Sequence, residues 1–326
     1  MSSSVHAWSD SAAEVGANLW RPVPFAATLD PVSQRRVAIA RCRRSSDADA
    51  GDHYPDPDAG PIASSLEARG LTVESVSWDD PSTCWEDFTL IVISSTWDSV
   101  DHPDEYLAWA EHVSTCARLA NPSRVLRWGI DKTHQIALAA AGVAVVPTTW
   151  VAPGQPWTPP AGDYVIKPAV SAGGRSTARY RGDSSASQAH VAALHAAGKT
   201  VMAQPYIASI DADGETDLIY LGGAFSHAVR KLPALTPGRG VIERPWEQMA
   251  WAGVATPTVV QLQEADRVVA EVARLTGSVP AYARVDLLNG DDKRPLLLEV
   301  EVVDPYLSLD LVPEASDRFA DALLCP

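Results

Sequence analysis

The sequence predicts an α/β (α+β) protein in which a Rossmann-like parallel-sheet domain precedes two lobes built on antiparallel sheets. Three observations lead there. Short β-branched runs alternate with amphipathic stretches from Arg36 to Asn121, the order that a parallel sheet with helical crossovers demands. Beyond Asn121, Gly173-Gly174, Gly222-Gly223 and Asn289-Gly290 each sit between alternating runs, as hairpin turns do. The last hairpin, Tyr282 to Pro305, sets Arg284 two residues from Asp286 and Glu299 two from Glu301, so the strand period of two puts each pair on one face.

At 326 residues, with 46% hydrophobic composition, the chain is long enough for about two domains with real cores. Its 41 acids against 26 basic residues give a net charge of −15, which argues against a nucleic-acid or anionic-membrane partner. A nucleotide in a locally basic cleft stays compatible with that charge. Cys42, Cys84, Cys116 and Cys325 show no CxxC or Cys/His metal spacing and read as free thiols of a reducing cytosol. No apolar run reaches the ~18 residues of a membrane span, and the N-terminus has neither the basic nor the apolar region of a signal peptide. The expected location is cytoplasmic, with homodimerisation left open.

Taken in order, residues 1–34 are rich in Ser, Ala and Pro, and read as an extension packing through Trp8, Trp20 and Phe25. RVAIARC, from Arg36, is a first buried strand. The Asp/Pro/Gly stretch from Ser45 to Gly60 is a surface loop or a lid. PIASSLEARG is a helix with Pro61 at its start and Gly70 past its end. LTVESVSW and TLIVISST are strands, and PDEYLAWAEHVSTCARL is an amphipathic helix from Pro103 to Leu119. No GxGxxG follows the first strand, which speaks against a dinucleotide. Next come the helix KTHQIALAAAG, the strand VAVVPTTWV, a hairpin from Asp163 across Ala172 to Ser176, the helix SASQAHVAALHAAG and the strand TVMAQPYI. The hairpin GETDLIYLGGAFSHAVRK, a loop from Leu232 to Gly253 and the long helix VVQLQEADRVVAEVARLTG lead to the closing hairpin.

Several stretches carry candidate chemistry, each beside a plainer explanation. SSTWDS leaves the third strand at its carboxyl end, where open α/β sheets bind ligands, so Thr96, Trp97 and Asp98 are candidate substrate contacts. A turn capped by Asp98, with Trp97 as packing, explains them as well. Lys132, in a first helical turn, runs against the helix dipole and points to a nearby anion, though a solvated lysine is the ordinary finding. Lys167 ends a strand ahead of Gly173 and Gly174, where backbone N–H groups and the Ser171 or Ser176 hydroxyl can approach phosphate oxygens. The P-loop pattern is absent, and a lone Gly-Gly pair is also an ordinary turn. Glu215 opens its strand, while His227 and Lys231 share one face of the next. The 232–253 loop carries Arg239 and Arg244, and loops of that length are commonly functional.

The closing hairpin is the most informative segment. Asp286, Glu299 and Glu301 converge across two strands beside Arg284, flanked by Leu296, Leu297, Leu298, Val300 and Val302. Half-buried acids repel one another unless a cation sits between them. Mg²⁺, a hard ion held by carboxylates and substrate phosphates, satisfies that need, and so does a structural ion-pair network.

The ordered set of Lys132, Lys167 before a Gly-rich hairpin, QPYI, a Glu shortly after, RVD and LEVEVVDP resembles the ATP-grasp superfamily over roughly residues 36 to 312. With SSTWD, GE and FSHAVRK it looks most like the D-cycloserine ligase group and its RimK- and glutathione-synthetase-like relatives. The resemblance implies an ATP-grasp fold: a Rossmann-like domain at 35–122 after the 1–34 extension, a central lobe at 123–203, and a C-terminal lobe at 204–326 that clamps ATP against it. It implies a carboxylate–amine ligase of specialised-metabolite biosynthesis that makes an acyl phosphate from a small amino-acid-like acid before amine attack, between molecules or within one. Lys132 and Lys167 would meet the ATP phosphates under the closing loop of Gly173, Gly174 and Ser176, and Lys231 would be a further ATP-binding residue. Gln204, Tyr206 and Ile207 would read adenine, and Glu215 the ribose. Asp286, Glu299 and Glu301 would hold two Mg²⁺, Arg284 would act with Lys167 in catalysis, and Thr96, Asp98, His227, Arg239 and Arg244 are the substrate candidates. Many members have Asn where this chain has Glu301, which adds a negative charge at the metal site. A small-molecule kinase and a non-catalytic nucleotide-binding module are the alternatives.

Overall fold

The computed structural model describes residues 35–42, 56–182, 185–236, 238–243 and 250–325. The expected N-terminal extension lies outside these residues. β1 (Arg36–Arg41), β2 (Thr72–Ser77), β3 (Leu90–Ile93) and β4 (Arg118–Leu119) form a parallel sheet in the order β2-β1-β3-β4. Val37 and Ile39 of β1 join the core beneath α1 (Ala59–Glu67), while Ala38 and Ala40 join the core beneath α2 (Pro103–Cys116). Burial on both faces is what an unbroken apolar run predicts. α2 ends three residues before the expected Leu119. Ala117 is extended there, and Arg118 and Leu119 turn out to pair with β3.

The chain then forms α3 (Ser123–Gly129), which the sequence reading missed, and a 3₁₀ turn at Lys132–His134 that runs into α4 (Gln135–Ala140). α3 lies so close to the end of the last hairpin that a Cβ at Gly129 would meet Val302 Cγ2 at 2.4 Å. A second, antiparallel sheet follows, with β5 (Thr149–Val151), β6 (Asp163–Pro168), β7 (Ala178–Arg181) and β8 (Val201–Pro205) in the order β5-β8-β6-β7. α5 (Ser185–Ala196) closes its core with Val191 and Leu194. β5 is shorter than the expected strand from Val143, because Val145 and Val146 pair instead with Leu297 of the third sheet.

After α6 (Ile210–Asp213), the third sheet comprises β9 (Glu215–Leu221), β10 (Ala224–Lys231), β11 (Trp251–Ala255), β12 (Tyr282–Asn289) and β13 (Pro295–Glu301), in the antiparallel order β11-β10-β9-β12-β13. β11 corrects the expected loop to Gly253; its short, Gly-containing edge strand has little alternation for a sequence to reveal. α7 (Val259–Thr276), opened by a Thr258/Gln261 capping box and followed by Gly277 at φ 67°, covers one face through Ala265, Val268 and Val272. The other face is divided. Ile219, Leu221, Val229 and Tyr282 pack under α1 and α8 (Glu314–Leu324), while the charged residues lie toward the second sheet. No helix among the described residues is long and apolar enough to cross a membrane.

Two polar ties fix the first sheet onto the third. Buried Asn121 donates to the Tyr282 and Val302 carbonyls and accepts from Ala281 N–H, at 2.9, 2.8 and 2.7 Å. Asp58, beside the start of α1 and 4% exposed, accepts from Leu307 N–H at 2.6 Å and Leu309 N–H at 2.8 Å. Burial pushes the Asp58 carboxyl up to about 7 in spite of these bonds. An acid whose pKa rises on folding stabilises most below its unfolded value of 3.8, and that contribution is lost as pH climbs through about 7. Asp58→Asn should therefore narrow the fall in urea midpoint between pH 4.5 and pH 7.5. Asp58→Ala, which strands two buried amides, should cost about 2 kcal/mol or more. An unchanged pH slope in the Asn variant would refute this assignment.

Candidate active site

Two adjoining cavities lie between the second and third sheets and share Gly173, Gly174, Lys231 and Glu299. The inner one has apolar walls from Val146, Val165, Ile242, Leu288 and Leu298, with Gln204, Tyr206 and Ile207 along the exit of β8. Gln204 is fixed by donating to Thr148 Oγ1 at 2.9 Å, and the Arg179 guanidinium lies 3.3 Å over the Tyr206 ring. This slot suits a flat heteroaromatic group. The outer cavity is charged, walled by Asp217, Arg284, Glu301 and Asp304 on one side and by Asp58, Ser95 and Trp97 of the first domain on the other.

Strand alternation builds the shared wall. β12 pairs Arg284 with Glu301 and Asp286 with Glu299. A bulge between Asp286 and Leu287 makes Leu298 an extra residue on β13. Without it, Glu299 would follow Leu297 onto the face buried under α7; with it, Leu297 stays in that core and Glu299 reaches the cleft. On the neighbouring pair, Lys231 sits opposite Glu215 and Val229 opposite Asp217. Gly214 precedes Glu215 at φ 70°, and a Cβ there would meet the Lys231 carbonyl at 2.7 Å, so this close approach requires glycine.

The charges interlock. Arg284 makes a bidentate pair with Asp286 at 2.8 and 2.9 Å and reaches Glu301 at 2.6 Å. Lys231 meets Glu215 at 3.0 Å. Lys132 bonds Glu299 at 3.0 Å and donates to the Ser171 carbonyl at 2.6 Å. Burial opposes the charge on Glu299, yet Lys132 and Lys167 together hold its carboxyl down at about 2. Burial also lowers Lys167, which Glu299 partly restores. For Glu301 burial prevails over Arg284 and pushes the carboxyl up to about 7; Asp286 is raised for the same reason. Asp217 is raised further by burial and by the neighbouring Asp286 and Glu215. Such an excess of acid oxygens, several of them short of a cation, fits a hard divalent ion. Among the described residues, Glu215, Asp217 and Asp286 bring three ligand atoms within 4.8 Å of one another.

The structure thus brings together Lys132, Lys167, Gly173, Gly174, Gln204, Tyr206, Ile207, Glu215, Lys231, Arg284, Glu299 and Glu301 along one cleft, with Asp286 buried behind them and bound to Arg284. Arg175 ties the glycine loop to Asp101 of the first domain at 2.6 Å. Ser176 lies beside that loop at φ 59°, its N–H donated to the Ile242 carbonyl and outside both cavity walls. Four substrate candidates line neither cavity. Thr96 is fully buried against the Tyr106 hydroxyl at 3.2 Å, and Asp98 accepts from Trp78 Nε1 at 2.9 Å, so the SSTWDS turn packs the aromatic core and lends only its Ser94, Ser95 and Trp97 to the cleft. His227 donates to the Leu307 carbonyl at 2.8 Å and accepts from Ser226 at 3.0 Å, which uses both ring nitrogens. Arg239 is exposed and away from both cavities, while Arg244 lies outside the described residues. Sequence reasoning missed Asp217, which the same period-two count would have found two residues after Glu215, and it missed Asp58 and Asp304, which no local pattern marks.

Residues 37–121 match the family model described as the D-cycloserine synthetase DcsG N-terminal domain. Over 280 residues the chain is 35% identical to the cycloserine biosynthesis protein DcsG of Streptomyces lavendulae, covering 82% of this chain and 93% of that protein. The crystal structure of D-cycloserine synthetase DcsG superposes with a TM-score of 0.77 at 32% identity, covering 88% of this chain and 98% of the other. D-alanine–D-alanine ligase from Bacillus anthracis, in complex with ATP, superposes with a TM-score of 0.60 at 11% identity over 89% of this chain and 96% of its own, a likeness of fold.

The Lys132–Glu299 pair is nearly buried, at 7% and 18% side-chain exposure. Removing one partner of such a pair costs about 3–5 kcal/mol. Glu299→Ala should lose stability on that scale, and Lys132→Met should recover part of it in the double variant. Additive losses in a urea double-mutant cycle would show that the pair is not coupled.

Proposed function

Because the chain belongs to the D-cycloserine synthetase family of ATP-grasp carboxylate–amine ligases, we propose that it activates the carboxylate of a small amino-acid-like substrate as an acyl phosphate and closes it onto an amine of the same molecule, releasing ADP and phosphate. One observation carries this reading: an apolar slot suited to a nucleobase opens, through the glycine loop, Lys231 and Glu299, into a charged cavity suited to a small polar acid. The ring-closing form is supported by the relative's name, since cycloserine is a cyclic product.

In this reading Gln204, Tyr206 and Ile207 hold adenine and Glu215 the ribose. Lys132, Lys167 and the Gly173-Gly174 backbone offset phosphate charge, and Lys231 orients Glu215 while reaching toward the phosphates. Asp286, Glu299 and Glu301 would hold two Mg²⁺, which when bound neutralise the charge of the transferring phosphoryl group. Arg284, fixed by Asp286 and Glu301, presents a guanidinium where the substrate carbonyl gains negative charge during amine attack. Ordering of the 172–176 loop over the cleft excludes water from an acyl phosphate that would otherwise hydrolyse.

Glu299→Gln should abolish ATP turnover; full activity of that variant, or of wild type in excess chelator, would refute the metal assignment. Arg284 separates a ligase from a kinase, because only amide formation passes through a tetrahedral oxyanion. Arg284→Met should depress amide product by about 100-fold or more while ADP release falls less, as acyl phosphate is lost to water. ADP and product are followed in parallel, with nucleotide affinity as the folding control. Equal losses in both would contradict the proposed role.

A further inference from the structure

β13 owes its parity to one extra residue. Leu298 has no partner across the β12–β13 ladder, and the acids that follow it face the cleft only because it is there. A buried residue left out of a ladder needs another partner for its backbone groups. The Leu298 carbonyl finds one 163 residues away in sequence, in the side chain of Gln135 at the start of α4. Gln135 is 2% exposed, and its Nε2 donates to that carbonyl at 3.0 Å. Its Oε1 has no hydrogen-bond partner among the described residues, so this one donation fixes the amide. Only the N–H end of an amide side chain can donate to a carbonyl, which sets its orientation.

Gln135 does not act alone. Three residues earlier in the same turn, Lys132 bonds Glu299, the residue after Leu298, at 3.0 Å. One short stretch thus grips two consecutive residues of β13, one by its carbonyl and one by its carboxylate. That stretch is itself anchored on two further sides. Lys132 N–H donates to the Ala169 carbonyl just beyond β6 at 3.0 Å, and the His134 ring stacks on Trp128 of α3 at 4.2 Å. Gln135 lines neither of the two cavities, yet it meets the backbone of the residue on which the parity of the metal-grade acids depends. With that carbonyl released, nothing in the ladder holds the extra residue in place, and Glu299 is free to leave both Lys132 and the cleft.

We propose that Gln135 is a positioning residue for Glu299: its amide pins the β13 bulge and so sets where the carboxylate stands when metal and nucleotide bind. The inference rests on the ligase reading, in which Glu299 takes Mg²⁺, and goes beyond it by assigning the group that aims this ligand. Loss of the amide donor should weaken the metal and spare the nucleobase, because the apolar walls from Val146, Val165 and Ile242 belong to other segments.

The test follows melting temperature at saturating ADP, first in chelator and then with rising Mg²⁺, since a ligand that binds the folded state raises it. In wild type, Mg²⁺ should add to the shift given by ADP alone. Gln135→Met, which keeps the side chain's length without its donor, should need about 10–100-fold more Mg²⁺ for half of that added shift, the usual loss when a metal ligand's supporting group is removed. Its shift with ADP in chelator should stay. Gln135→Asn, too short to reach the carbonyl, carries the same test should the Met variant fail to fold. Leu298→Ala keeps the carbonyl and takes a side chain from the inner cavity, so it should give the opposite pattern, a smaller ADP shift with the Mg²⁺ requirement unmoved. A lower melting point of the Gln135 variants with an unmoved Mg²⁺ requirement would make Gln135 a packing residue and overturn the inference. Equal loss of the ADP and Mg²⁺ shifts would overturn it as well, leaving the ligase reading in place. Absence of any Mg²⁺ effect in wild type would sink the metal assignment of Glu299 and this inference together.

Discussion

The cleft is organised around a repulsion that the fold has to contain. Glu215, Asp217, Asp286, Glu299 and Glu301 come from three neighbouring strands, and most of them are removed from water. Carboxylates in that setting either take up protons or acquire cations. Both happen here. Lys132 and Lys167 keep Glu299 ionised down to about pH 2, whereas burial leaves Glu301 titrating near 7 even with Arg284 against it. Lysines stand beside Glu299 and Glu215, the acids that stay charged, whereas Asp217, Asp286 and Glu301 are raised by burial in spite of Arg284 and are left poised for a further cation.

Supporting such a wall takes rigidity from elsewhere. The β13 bulge switches strand parity once, so that Leu297 and Val300 stay packed against α7 while Glu299 and Glu301 face the cleft. Val146 and Leu297 exchange a backbone bond that attaches the segment leading to the second sheet, and Asn121, Asp58 and Asp304 attach the first domain. The first-domain ties converge on residues 302–309, directly after Glu299 and Glu301. The first domain is thereby a wall of the outer cavity.

Much of this was legible in the sequence because its signals are local. A period of two located Arg284, Asp286, Glu299, Glu301, Glu215 and Lys231, and glycine pairs located the hairpin turns. The order of elements identified the fold. What escaped depends on long-range contact. Thr96 and Asp98 sit at the expected end of β3, but their side chains turn inward to Tyr106 and Trp78, aromatic partners that no spacing announces. His227 shares a face with Lys231, yet that face changes from cleft to core along β10, where the 307–309 segment covers it. The bulge escaped too, and parity nonetheless gave the right face for Glu299 and Glu301 because they lie on the same side of it.

The central claim is that the substrate's carboxylate oxygen attacks phosphorus before the amide forms. Substrate labelled with ¹⁸O in its carboxylate, turned over with unlabelled Mg-ATP, tests this directly through mass analysis of the released phosphate. Acyl phosphate formation predicts one ¹⁸O per phosphate for each amide made. Unlabelled phosphate alongside amide product, or label retained in a stable phosphorylated compound, would contradict it.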